Sequence, residues 1–134
     1  MVSVAFITFN NKILLFHRDD KSIKDPDCWD LVGGHDEPGE SPEDTLKRET
    51  QEEISIAPEK IRYLFPIADT WAEETHLFHV QLSEKEVASI KLGNEGKEVV
   101  FFEIDEVKKL KLSQNMHKYF REYPNLIESL LAIQ

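Results

Sequence analysis

The 134-residue chain is poor in cysteine, in basic residues and in long apolar runs. Cys28 is its only cysteine, so no internal disulfide is possible, and a reducing, cytoplasmic setting is expected. No apolar run approaches the roughly 20 residues that a bilayer-spanning helix needs. The opening MVSVAFITFNNK has no basic leading segment, and Ser3 and Thr8 break its apolar run, so it does not read as a signal peptide. Lys and Arg number 16 against 26 Asp and Glu, for a formal charge of −10. That surface repels a phosphate backbone and an anionic bilayer, so neither nucleic acid nor membrane is an expected partner. A small anionic ligand stays open, because a metal ion can bridge it to acids. Internal repeats, low-complexity tracts and linkers are also missing.

Hydrophobic residues make up 40% of the chain, enough for the core of one domain over residues 1–134. VSVAFITF and KILLFHR flank a pair of asparagines, which tolerate positive φ, so residues 2–18 are predicted to form a hairpin. WDLV reads as a brief strand ending at Gly33-Gly34. A helix is predicted from Ser41, an N-cap hydroxyl followed by Pro42 and the acids Glu43 and Asp44. Asp44 is placed to close a capping-box-like contact. Pro58 stops the helix. IRYLFPIADTW and THLFHVQL read as strands joined near residues 72–74, and KEVVFFEI as another. A helical turn is expected at residues 105–110. The tail, residues 115–133, has an apolar stripe at helical spacing that Pro124 should kink or split. Strands before and after one central helix indicate an α+β or mixed α/β class.

The central helix carries Glu49, Glu52 and Glu53 at i, i+3 and i+4, on one face. Taken alone, such a trio is most often a solvated acidic surface. A second reading is that the oxygens converge on a divalent cation, since Mg²⁺ takes carboxylates together with phosphates and water. Arg48, four residues before Glu52, can orient a carboxylate, and Gly33-Gly34 offers bare carbonyls near the helix start.

The surrounding pattern favours the cation. Gly34, Glu40, Arg48-Glu49, Glu52-Glu53 and Ile56 stand at the spacing of the Nudix box, and residues 34–56 resemble the signature of the Nudix hydrolase family. Two positions depart: Thr50 replaces an aliphatic residue, and Ser55 replaces a second glycine. More weakly, the order of elements along the chain resembles small MutT-like members. The resemblance implies a mixed β-sheet between helices, with the box as a loop–helix–loop. It also implies hydrolysis of a nucleoside diphosphate linked to another group, with Mg²⁺ or Mn²⁺ as cofactor. By similarity, Glu49, Glu52 and Glu53 would hold the metal with the Gly34 carbonyl, while Glu40 and Arg48 brace the loop. Family members recruit a later glutamate, here Glu95, with Glu98 second. The general base is left between Glu49 and Glu95.

Outside the box the signals are weaker. Arg18 is a candidate phosphate contact or a surface charge. His17, its neighbour in the strand, points the other way. Trp29 and Phe78 are candidate stacking groups or core. Asn115 can read a base edge or cap the last helix. His35, His76, His79 and His117 lack zinc-like spacing with cysteine. The acidic loop, residues 19–27, lacks the glycine and terminal glutamate of an EF-hand and reads as a solvated lip of the cleft. The leading expectation is a metal-dependent pyrophosphohydrolase acting on a small-molecule nucleotide: a nucleoside triphosphate, an oxidised nucleotide, a nucleotide sugar or a dinucleotide. Its rivals are a nucleotide sensor without turnover and an acidic interaction protein, the latter leaving the glycine and arginine spacing unexplained. A homodimer is compatible with the sequence.

Overall fold

The computed structural model describes residues 1–133 of the chain. Asn10 and Asn11 take φ angles of 52° and 61°, which folds β1 (Val2–Phe9) back on β2 (Lys12–His17) as the sequence predicts. Phe9 pairs with Lys12 and Ile7 with Leu14 across this turn.

The next segment differs from expectation. WDLV is divided between two short strands, β3 (Trp29–Asp30) against the end of β2 and β4 (Val32–His35) against the start of β1. Asp30 accepts the Leu31 N–H at 2.8 Å through its own side chain, which diverts the backbone there. The glycines do not end β4 but run within it. A Cβ on Gly33 would lie 2.1 Å from the Ser3 carbonyl oxygen, so only glycine lets β4 lie this close to β1.

β5 (Lys60–Ala68) and β6 (Glu74–Gln81) pair antiparallel, with an irregularity between Tyr63 and Phe65. β6 runs parallel to β1, from Val2 opposite Thr75 to Thr8 opposite Gln81. β7 (Glu98–Phe102) lies antiparallel on β2. Together they form a seven-stranded mixed sheet with the path β3-β2-β1-β6-β5, to which β4 and β7 attach at β1 and β2.

Alternation along β1 sends neighbouring side chains into two cores. Ala5 and Ile7 pack with Leu46 and Ile54 of α1 (Pro42–Ile54). Phe6 packs with Met116 and Tyr119 of α4 (Gln114–Glu122) and with Ile127 and Leu130 of α5 (Leu126–Leu131). The sheet is therefore sandwiched between helices. Leu46 and Ile54 are fully buried, and each contributes roughly 1.5–3 kcal/mol to holding α1 in place. The tail splits as expected: Pro124, which has no N–H to continue a helical ladder, falls between α4 and α5. The turn predicted at 105–110 is α3 (Ile104–Val107). One helix has no counterpart in the sequence reading. It is α2 (Glu84–Ala88), opened by a capping box between Ser83 and Glu86. No helix among the described residues is long and apolar enough to cross a membrane.

Candidate active site

The start of α1 decides which acids face the sheet. Ser41 accepts the Asp44 N–H at 3.1 Å, and Pro42 opens the helix. The capping box is only half made, because no bond returns from the shorter Asp44 side chain to Ser41 among the described residues. α1 leaves through Ser55 at φ 63°, a conformation in which glycine is preferred. Ser55 offsets that strain by donating its Oγ to the Lys91 carbonyl at 3.0 Å. Thr50 is fully buried, yet its hydroxyl is satisfied by the Leu46 carbonyl at 2.9 Å. Both departures from the box pattern are thus absorbed locally.

Glu49 and Glu53 lie one turn apart and face a cavity of about 300 Å³, lined also by Arg18, Gly33, Gly34 and Glu95. Glu53 accepts the Gly33 N–H at 2.8 Å. Glu49 is packed on Gly34, where a Cβ would fall 2.6 Å from its carboxyl. Glu95 arrives from the loop after α2, whose Gly93 N–H donates to the Glu53 carbonyl at 2.9 Å. A Cβ on Gly93 would meet the Glu52 carbonyl oxygen at 2.0 Å, so this loop sits directly on the end of α1.

Glu52 takes another direction. It does not line the cavity, its side chain is 55% exposed, and both its oxygens accept from Arg48 at 3.3 Å. The helix therefore presents two acids to the cavity rather than three, and the third comes from a distant loop. The rotation of about 100° per residue separates Glu52 from Glu53, and Arg48 captures Glu52 from the turn before.

Arg48 is the hub of the box. It donates to Glu40 at 2.8 and 3.0 Å, to Glu49 at 3.0 Å and to the His35 carbonyl at 2.7 Å. The Arg48 hydrogen bond, helped by the Glu37 N–H, holds the Glu40 carboxyl down to about 2. Burial does the opposite in the cavity. It pushes Glu49 above the usual range, with Glu52 and Glu95 adding repulsion against the Arg48 hydrogen bond. Burial also raises Glu53 to about 8, assisted by the charges of Glu49, Glu95 and Asp30. As placed, no three His, Cys, Asp or Glu side chains among the described residues form a ready-made metal group. The donor set nevertheless suits a hard divalent ion. It is all oxygen, and a cation would remove the repulsion that now favours protonated acids.

Other candidates separate clearly. Glu98 bonds His17 at 3.2 Å and does not line the cavity. His17 stacks on Trp29 with ring centres 4.3 Å apart, and Trp29 abuts Phe102 edge-on. Phe78 is 2% exposed, so Trp29 and Phe78 are both packing groups. The cap of α4 is Ser113, which accepts the Met116 N–H at 3.1 Å, and not Asn115. Asn115 instead accepts the Thr70 N–H at 2.9 Å. His35, His76 and His79 bond Glu73, Tyr63 with Glu74, and Thr8 respectively. The acidic loop is solvated, with Asp20, Lys21, Lys24 and Pro26 exposed, but it is also stitched down at several points. Asp19 accepts the Gly96 N–H at 3.0 Å, Asp25 accepts the Gln114 N–H at 3.3 Å, and Asp27 pairs with His17 and Lys97. The Ile23 side chain is fully exposed at its tip.

A second cavity, about 190 Å³, shares Arg18, Gly33, Gly34 and His35 with the first. Its other walls include Lys24, Asp30, Trp71 and Asn115, with Lys24 Nζ 4.6 Å from the centre of the Trp71 ring. Arg18 thus stands between the cavities, its Nε donating to the Lys24 carbonyl at 3.1 Å. Burial raises Asp30 to about 6. Lys24, Asp30 and Trp71 were not foreseen, since they come from two separate loops and a strand with no shared spacing. Gly93 was missed too, although glycines at 93 and 96 bracketing Glu95 were a readable signal. A larger cavity of about 420 Å³, lined by residues including Thr8, Glu59, Lys60 and Leu131, contains none of the candidate residues.

Residues 1–123 match the NUDIX domain family. An ADP-ribose pyrophosphatase of Methanocaldococcus jannaschii is 29% identical over 109 residues, which are 79% of this chain and 63% of the relative. The chain therefore spans less than two thirds of that relative's length. A C. elegans Ap4A hydrolase, solved as a binary complex, superposes with a TM-score of 0.73 at 18% identity, covering 96% of this chain and 99% of that one. The NUDIX domain of Shewanella oneidensis NrtR, solved with ADP ribose, gives a TM-score of 0.69 at 19% identity over 92% and 84% of the two chains. At these identities the structural likeness concerns the fold alone. The family match takes in the box, the whole sheet and α4, and the chain belongs to the NUDIX domain family.

Proposed function

We propose that the protein is a cytoplasmic, single-domain pyrophosphohydrolase. It uses Mg²⁺ or Mn²⁺ to cleave the diphosphate bond of a nucleoside diphosphate linked to a second group. The observation that carries this reading is the convergence of Glu49, Glu53 and Glu95 on one cavity that shares Arg18 with a second, mixed cavity. Glu49, Glu53 and Glu95, with the Gly34 carbonyl, are assigned to the metal, and Glu52 would join them on leaving Arg48. Bound there, the ion would neutralise charge developing on the diphosphate and activate a water.

The chain's own groups prepare that chemistry. Glu40 fixes the Arg48 guanidinium, and Arg48 orients Glu49. The Gly33 N–H holds Glu53, which keeps a proton up to about pH 8 until a cation displaces it. Arg18 stands where a diphosphate passing between the cavities would lie. Asn115, its Oδ1 engaged by the Thr70 N–H, keeps its amide NH₂ for a nucleoside. Trp71, 38% exposed, offers a face for stacking.

The similar pyrophosphatase puts ADP-ribose first in the substrate panel, followed by nucleoside triphosphates, oxidised nucleotides, nucleotide sugars and dinucleotides. Incubation with Mg²⁺ in ¹⁸O-labelled water, read by mass spectrometry, would identify the phosphorus attacked. Release of nucleoside monophosphate that Glu53→Gln abolishes is the expected result. A second reading, a nucleotide sensor without turnover, is favoured by the capture of Glu52 by Arg48. Saturable nucleotide binding with no product in any metal would decide for it.

A further inference from the structure

We propose that Lys97 is a positioning residue. Through Asp20 and Asp27 it clamps the loop that carries Glu95, and so fixes that carboxylate opposite Glu49 and Glu53. The inference rests on the reading of Glu95 as an acid of the metal-binding cavity.

The loop between α2 and β7 is held from two sides. On the α1 side, the Lys91 and Gly93 N–H groups donate to the Ile54 and Glu53 carbonyls at 3.0 and 2.9 Å. That anchor is backbone on a helix end. On the β2 side, the Lys97 N–H donates to the His17 carbonyl at 2.9 Å, and the Gly96 N–H to the Asp19 carboxylate at 3.0 Å. The Lys97 bond is backbone on β2, but the Gly96 bond, next to Glu95, is only as firm as the acidic loop that supplies Asp19.

Lys97 Nζ secures that loop. It pairs with Asp27 at 2.6 Å and also with Asp20. Asp27 is held in turn by His17 at 2.9 Å. Two acid-bearing segments meet here, one the loop with Asp19, Asp20 and Asp27, the other Glu95 with Glu98 at the start of β7. Without a cation between them they repel. The seat itself is narrow: Gly96 has φ +80°, and a Cβ there would lie 2.2 Å from the Phe16 ring. The Glu95 loop therefore fits tightly in one place, and Lys97 supplies the charge that keeps it there.

The test measures Mn²⁺ affinity by electron paramagnetic resonance with the metal alone, and kcat and KM with the best panel substrate. Lys97→Met is expected to weaken Mn²⁺ binding and lower kcat, each about fivefold, with KM for the nucleotide unchanged. Lys97→Arg restores both. Asp20→Asn, which leaves Lys97 its Asp27 partner, gives a smaller loss of the same kind. In a Glu95→Gln background, Lys97→Met adds no further loss. Full additivity there, or no change in Mn²⁺ affinity for Lys97→Met, overturns the positioning role while leaving Glu95 in place. If Glu95→Gln itself leaves Mn²⁺ affinity and kcat untouched, Glu95 is outside the site and the inference falls with it.

Discussion

The two neighbouring cavities share a wall and differ in how they are made. The first is built from carboxylates, two of them on successive turns of α1. The second collects Lys24, Asp30, Trp71 and Asn115 from four separate parts of the chain. One is a device of local spacing, the other of tertiary assembly. Bond cleavage is assigned to the first and substrate choice to the second, so substitutions should move kcat in one and KM in the other.

The largest expected effect belongs to the acid-lined cavity. Glu53→Gln or Glu49→Gln should lower kcat by about a hundred- to a thousandfold, or roughly 2.7–4 kcal/mol, by analogy with losing one preorganised stabilising group. Steady-state kinetics would check this, and a rise in KM with kcat intact would dissolve the division between the cavities. Next comes Trp71→Ala, which should raise KM for a nucleotide substrate about tenfold while sparing kcat, since a stacked base is worth roughly 1–3 kcal/mol. Loss of kcat alone would move Trp71 into the first cavity's business.

A pH dependence sharpens the contrast further. Glu53 has its carboxyl raised from 4.5 to about 8 by burial. A raised acid holds its proton more tightly folded than unfolded. Its stabilising contribution is complete below pH 4.5 and lost as the pH climbs towards 8. Metal-free protein should therefore melt at a lower temperature near pH 8 than near pH 5, and Glu53→Gln should flatten that slope. Activity should run the other way, rising across the same window as the metal displaces the proton. A melting midpoint independent of pH in metal-free protein would contradict the burial of Glu53. The smallest effect expected is Lys24→Ala. Its contact with Trp71 is worth about 0.5–1 kcal/mol at an exposed site, so thermal melting should barely change.

The contrast also explains what could be read in advance. Hairpin, helix cap and box were legible because turn residues and helical spacing act over a few positions. Asn10-Asn11, Ser41-Pro42 and the α1 acids carried those signals. Glu95 is named through family resemblance, with the bracketing Gly93 and Gly96 as its one local signal, since it reaches the cavity by their packing. The even spacing of Glu49, Glu52 and Glu53 misled in one respect. Spacing places side chains on a face but does not say which of them a neighbour such as Arg48 will draw aside. Trp71 and Asp30 had no legible sign, because their meeting depends on the order of strands in the sheet. The division of WDLV and the role of Ser113 turned on single side-chain hydrogen bonds of the same kind.

Gly34 has no functional group, yet the carboxyl of Glu49 occupies the space its side chain would take. The two positions are one steric unit, and the acid-lined cavity is shaped here by a missing carbon. A survey of single substitutions would score residue 34 as though it were chemically reactive. Alanine at 34 is expected to leave the protein folded, because only the end of the Glu49 side chain must swing aside, and to cost activity through that displacement.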